Sequence, residues 1–217
     1  VNLNGNYTGT ALRYNDNGIV NLADGKNIDS AITSDAPNQG TLNLAGTSTI
    51  SGQVGDATNK LKEINANGIA GKTVIFEKDV YATNTKIGAG AVNFNTVSGT
   101  TNTNIIFTDN GTANLLNGLT GGINFAGKDA TVNVSDGKGI LGSVQTLASN
   151  NTGIINYQGD GTISGNSINS GASGIKELNI NTANQQNSGG PGLVIGYTAL
   201  ARELYADVVN LRNNATL

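Results

Sequence analysis

Nine asparagines in this chain sit between two branched or aromatic apolar residues: Asn2, Asn21, Asn43, Asn93, Asn124, Asn133, Asn156, Asn179 and Asn210. Apolar, polar, apolar is the period of a β-strand, whose alternate side chains face opposite ways. Each triplet therefore offers two residues to an interior and one Asn to the outside. Triplets starting at 1, 20 and 42 lie 19 and 22 residues apart, and those starting at 132, 155 and 178 lie 23 and 23 apart. That interval is about one circuit of a β-solenoid, in which a unit too small to bury its own apolar face stacks on the next. The remaining intervals of 50, 31, 9 and 31 residues are irregular, as insertions or triplets on different faces of one coil would make them. The expected fold is all-β, a β-solenoid with irregular loops and Asn ladders running between coils.

The composition agrees with short strands closed by tight turns. Charged residues make up only 12% of the 217, which sets the chain apart from disordered sequences that avoid burial through like charge. Its 31 glycines are about twice the usual share. Many fall in Asn-Gly pairs such as Asn17-Gly18 and Asn110-Gly111, where positive φ is easily supplied. An A/T-rich genome would enrich Asn as well, and both causes stand.

Cys, His, Met and Trp are all absent. Without His the chain lacks the commonest general base and metal ligand, and without Cys it lacks thiolate chemistry and disulfides. Stability must come from packing or from a continuous ladder of backbone hydrogen bonds. A cysteine-free chain also suits threading, unfolded, across a bacterial outer membrane. Net charge is −3 and the basic residues are scattered singly, so no nucleic-acid partner is expected. No apolar run reaches bilayer length and Val1 opens no signal-like segment, as in a piece excised from a longer precursor.

Strands are expected at Thr41 to Ile50, Lys72 to Ala82 with Glu77-Lys78-Asp79 as a turn or solvated edge, Ala91 to Asn95, Asn104 to Thr108, Gly122 to Ala126, Ala130 to Ser135, Gly153 to Gln158, Thr162 to Ser164 and Lys176 to Asn181. Asn59 to Asn67 reads as a short helical turn or a loop. The chain reads as one β-helical fragment over 1–217, with a loop or boundary at 182–192 and an atypical segment at 193–217. Within the latter, Ala199 to Ala206 has helical propensity, and residues 204–211 alternate as a strand, which is the preferred reading.

The Asn/Gly/Thr-rich texture, the repeated triplets and the run Gly71-Lys72-Thr73-Val74-Ile75-Phe76-Glu77 followed by Asp79-Val80-Tyr81-Ala82 resemble the passenger regions of rickettsial autotransporters of the surface cell antigen and outer membrane protein B type. The resemblance covers nearly the whole chain and rests on no catalytic motif. It implies a right-handed parallel β-helix in a cell-surface, extracellular virulence protein, exported through the outer membrane and displayed by a C-terminal membrane β-barrel of the same precursor. Such passengers attach to host cells and promote invasion, so the implied partner is a host-cell surface protein or glycan.

Candidate chemistry is sparse, and the reading is that the chain is not an enzyme and holds no cofactor or metal. Parallel β-helices include polysaccharide lyases and hydrolases, so the carboxylate pairs near in sequence are candidates: Glu77 with Asp79, Asp24 with Asp29, and Glu203 with Asp207. Glu77 and Asp79 would share one side of a strand, yet a solvated charged edge is the better account. Asp136 and Asp160 lie in Gly-Asp turns without the nine-residue recurrence of calcium-binding β-rolls. Gly88-Ala89-Gly90 and Gly189 to Gly192 lack the Lys-Ser/Thr of a phosphate loop. Thr47/Thr49, Thr83/Thr85 and Thr101/Thr103 are too few and too unevenly spaced for an ice-binding rank. No contact residue is assigned, and a spacer without its own receptor, or a polysaccharide-active enzyme, is the alternative to an adhesin.

Overall fold

A computed structural model describes residues 1–66, 68–95, 99–146, 151–163, 174–180, 193–195 and 204–212. The first four coils carry β1 (Asn2–Leu3) and β2 (Ala11–Tyr14), β3 (Ile19–Leu22) and β4 (Ala31–Ser34), β5 (Gln39–Leu44) and β6 (Ser48–Ile50), then β7 (Leu61–Ala66) and β8 (Thr73–Phe76). The chain continues through β9 (Val80–Ile87), β10 (Ala91–Phe94), β11 (Thr101–Phe107), β12 (Thr112–Leu115), β13 (Ile123–Asn124), β14 (Thr131–Val134) and β15 (Lys138–Ile140). It ends with β16 (Val144–Gln145), β17 (Ile154–Tyr157), β18 (Gly161–Ile163), β19 (Ile175–Ile180), β20 (Leu193–Ile195) and β21 (Ala206–Leu211). Every described strand pairing is parallel, and no helix occurs among the described residues.

These strands wind into a β-solenoid of about eight turns. One face is the eight-stranded sheet β1-β3-β5-β7-β9-β11-β13-β16, and a second is β6-β8-β10-β12-β14-β17-β19-β21. The third is made of β2-β4 and β15-β18-β20, linked through Ile32, Val54, Val80, Thr101 and Asn102, Thr120, then Leu119 and Ile140. At about 4.8 Å per rung, eight rungs make a rod about 40 Å long.

Alternation decides what lies inside. In β10, β12, β14 and β17 the burial pattern is half-buried, buried, half-buried, buried, so every second side chain enters one continuous apolar core. Equivalent positions stack along the axis: Val74, Val92, Ala113, Val132, Ile155 and Leu178 on one line of the second face. Phe76 lies over Phe94 with ring centroids 5.5 Å apart and planes 14° apart, and Phe107 lies over Phe125 at 5.4 Å and 6°. Offset-stacked rings of this kind add about 0.5–1.5 kcal/mol beyond the area they bury. A polar pair also enters the core, where the Thr85 and Thr103 hydroxyl oxygens are 3.0 Å apart.

The outward Asn of each triplet does more than face water. On the first face Asn21 donates to Asn2 (2.7 Å), Asn43 to Asn21 (2.7 Å) and Asn65 to Asn43 (2.8 Å). On the second face Asn114, Asn133, Asn156, Asn179 and Asn210 each donate to the Asn one coil earlier, beginning from Asn93, at 2.6–2.8 Å. Stacking leaves the later members half-buried and Asn179 only 5% exposed. The irregular intervals follow at once: the triplets at 2, 21 and 43 belong to the first face and those from 133 onward to the second. The 9-residue step from Asn124 to Asn133 is one corner within a single coil.

Several sequence expectations need correction. Residues 59–66, the described part of Asn59 to Asn67, hold no helical turn and contain β7, whose Leu61, Ile64 and Ala66 are buried. Thr41 to Ile50 is two strands, β5 and β6, on different faces with a corner at Ala45–Thr47. Lys72 to Ala82 likewise splits into β8 and β9 around Glu77-Lys78-Asp79, which forms the expected turn. The segment 182–192 and residues 199–203 lie outside the described residues. Ala206–Leu211 is the strand that the alternation of 204–211 predicts, pairing with β19.

Candidate binding surface

Four aspartates of the candidate acidic pairs, Asp24, Asp29, Asp79 and Asp207, hold structural hydrogen bonds. Glu77 and Asp79 stand in a bend and not on a strand, so they do not share a strand face, and Asp79 Oδ1 accepts the Thr100 backbone N–H of the next coil at 2.9 Å. Asp24 accepts the Thr47 N–H at 2.8 Å and the Lys72 ammonium at 2.7 Å, which hold its carboxyl below the usual range. Asp29 accepts the Ser51 hydroxyl at 3.2 Å, and Asp136 accepts the Asp160 N–H at 2.8 Å. Glu203 lies outside the described residues, while Asp207 accepts the side-chain amide of Asn151.

A common device underlies these contacts. At a corner the backbone N–H groups leave the sheet ladder and need acceptors. An Asn or Asp in one coil supplies its side-chain oxygen to an N–H in the next: Asn6 to Asn27, Asn27 to Thr49, Asn110 to Asp129, and Asn151 to Gly174, at 2.7–3.0 Å. No group of three or more metal-ligating side chains converges among the described residues. Of the threonines weighed for an outward rank, Thr85, Thr101 and Thr103 are buried.

A shallow depression of about 550 Å³ lies beside Arg13 and Asp35, where the Arg13–Asp35 ion pair occupies the charged groups, and a longer, three-part depression runs along the corner between the first and third faces. Its largest part, about 530 Å³, lies over β11, β13 and β16 and is walled by Asn84, Asn104, Ile106, Asn124 and Gln145. A second part of about 400 Å³ adjoins it through Asn104 and Gly121 and reaches Asn38, Lys60, Thr83 and Asn102. A third, about 360 Å³, shares Thr120 and Leu141 with the second and runs onto the third face by Thr100 and Thr162. Together their linings come from seven successive rungs, from that of Asn38 to that of Thr162, or about 30 Å along the rod.

Two glycines stacked on neighbouring coils explain why the corner is hollow. The earlier coils turn it through Thr83 and Thr103, the later ones through Gly121 and Gly142. Gly121 has φ +142°, and a Cβ built there would lie 2.0 Å from the Thr103 carbonyl oxygen. A Cβ on Gly142 would lie 2.2 Å from the Gly121 carbonyl oxygen. Backbone packs directly on backbone, and the absent side chains lower the floor.

The walls are amides, hydroxyls and aliphatic edges. Asn104 Oδ1 accepts the Gly122 N–H at 3.0 Å and Asn124 Oδ1 the Ala126 N–H at 2.8 Å, which fixes both side chains and turns their amide nitrogens to other partners. Lys60 donates to Asn102 Oδ1 at 2.7 Å. Leu141 is 56% exposed and Ile106 half-buried. None of the walls carries Asp or Glu. Sequence reasoning missed this surface because Lys60, Asn102, Thr120 and Leu141 come together only once each coil's length is known.

No helix among the described residues is long and apolar enough to cross a membrane. The chain matches no family model, no curated protein and no solved structure.

Proposed function

We propose that the chain is part of a bacterial surface adhesin of the autotransporter-passenger type, a rigid rod that engages host cells through a broad, shallow face. The rod supports this reading because stacked coils pair their backbone groups with one another and leave unpaired edges at the two ends. The carrying observation is the long depression over β9, β11, β13 and β16, walled by neutral polar groups and the single cation Lys60, and open along its length. Its shape suits many weak contacts rather than enclosure of a small reactant. The resemblance in sequence texture to rickettsial passengers supports the cellular setting, at the bacterial exterior.

Beads coated with residues 1–217 should bind cultured mammalian cells saturably, and soluble protein should compete. Absence of saturable binding would remove the adhesin reading and leave a spacer, the alternative favoured by the regular Asn ladders that stiffen both faces.

A further inference from the structure

The ion pairs of the described residues are Arg13–Asp35, Lys72–Asp24, Lys86–Glu63 and Lys176–Asp129. Lys60 belongs to none of them. It is half-buried in the middle part of the depression, it spends one of its three donors on Asn102, and no carboxylate lines the wall around it. In a chain of net charge −3 this leaves one cation facing a trough about 30 Å long of otherwise neutral hydrogen-bonding groups.

We propose that the trough binds a carboxylate-bearing oligosaccharide, with the acid group on Lys60 and sugar hydroxyls on Asn84, Asn104, Asn124 and Thr120. The inference rests on the adhesin reading and names the chemical class of its ligand. A sugar chain offers many neutral hydroxyls and an occasional carboxylate, which is the inventory these walls complement. Ring C–H faces have aliphatic partners in Ile106 and Leu141. An extended peptide fits less well. It would add to a free strand edge, whereas β9, β11 and β13 are paired on both sides and present none here.

The test is binding of the intact 217-residue chain to three probes by calorimetry or NMR titration: hyaluronan tetrasaccharide (uronic acid), 3′-sialyllactose (sialic acid) and the neutral chitotetraose. At least one acidic probe should bind about tenfold more tightly than chitotetraose, and which one does so identifies the source of the carboxylate. Lys60→Gln should weaken that binding by about tenfold. Leu141→Glu, at an exposed position, should weaken it comparably by placing a like charge beside the ligand, and circular dichroism should show both variants folded. Equal affinity for acidic and neutral probes, no binding of any probe, or wild-type affinity in both variants would overturn the proposal. Cell binding by the same variants separates the two readings. Saturable adhesion indifferent to Lys60→Gln refutes the sugar site and keeps the adhesin. Probe binding without adhesion does the reverse.

Discussion

Asn156 donates its side-chain amide to Asn133 Oδ1 at 2.8 Å, and Asn133 in turn donates to Asn114 at 2.7 Å. Each interior member of the ladder is thus donor to one coil and acceptor from the next. Replacing Asn133 by Leu strands two half-buried polar groups, Asn114 Oδ1 and Asn156 Nδ2. The loss should be about 1–3 kcal/mol in urea unfolding. Asn2→Leu removes a single exposed terminal bond and should cost less than about 1 kcal/mol. Equal losses at the two positions would show that the ladder adds nothing beyond strand pairing.

Phe76 and Phe94 are fully buried and stacked, at the same register on neighbouring strands. Phe94→Ala should destabilise by about 3–5 kcal/mol, and Phe94→Leu by markedly less because most of the volume is kept. A solenoid's stability is close to a sum of coil and interface terms, so the damage should be local. Hydrogen exchange should accelerate first in β8, β10 and β12. Uniform acceleration from β3 to β19 would mean that the rod unfolds as one unit.

The fold was largely legible because the strand period and the coil period are both written in the outward positions. Asn21 and Asn43 are one coil apart in sequence and in space. Two ladder members escaped the pattern for a plain reason: Asn65 and Asn114 each have a buried Ala flank, which is neither branched nor aromatic and does not read as a strand residue. Corners were harder. Asp79 reads in sequence as part of a solvated charged edge, and its acceptor role toward Thr100 is not visible there, since a side chain that caps a neighbouring coil has no signature within its own. The depression was least legible of all. It depends on Gly121 and Gly142 meeting at one corner, and that meeting is a product of coil length, not of local sequence.

Lys86 occupies the rung after Asn65, where the first Asn ladder stops, and its ammonium lies 2.7 Å from Glu63. Burial alone would raise the Glu63 carboxyl, but hydrogen bonds to Lys86 and Asn65 outweigh it and hold the group below its ordinary 4.5. A folded-state value below the unfolded one gives stability that is present above pH 4.5 and lost as pH falls through the folded value. Lys86→Gln should remove that part. The stability gap between wild type and variant should be constant near neutrality and close progressively below pH 4.5. A gap that persists unchanged into acid would assign the effect of Lys86 to packing of its aliphatic stem.

Gly142 and Gly5 separate two uses of glycine in this chain. A Cβ at Gly142 would meet the Gly121 carbonyl oxygen at 2.2 Å and its carbon at 2.3 Å, while one at Gly5 would meet nothing within 4 Å. Because the obstacle at Gly142 is backbone, no rotamer change relieves it, and the two coils must part. Gly142→Ala should therefore cost about 1–3 kcal/mol, the range of an overpacked interior. Gly5→Ala should stay within about 0.5 kcal/mol. The displaced rung would also raise the floor beneath Asn124 and Gln145, so adhesion should fall in Gly142→Ala at temperatures where the variant remains folded, and Gly5→Ala should bind as wild type. Full adhesion by a folded Gly142→Ala protein would move the contact surface away from this corner.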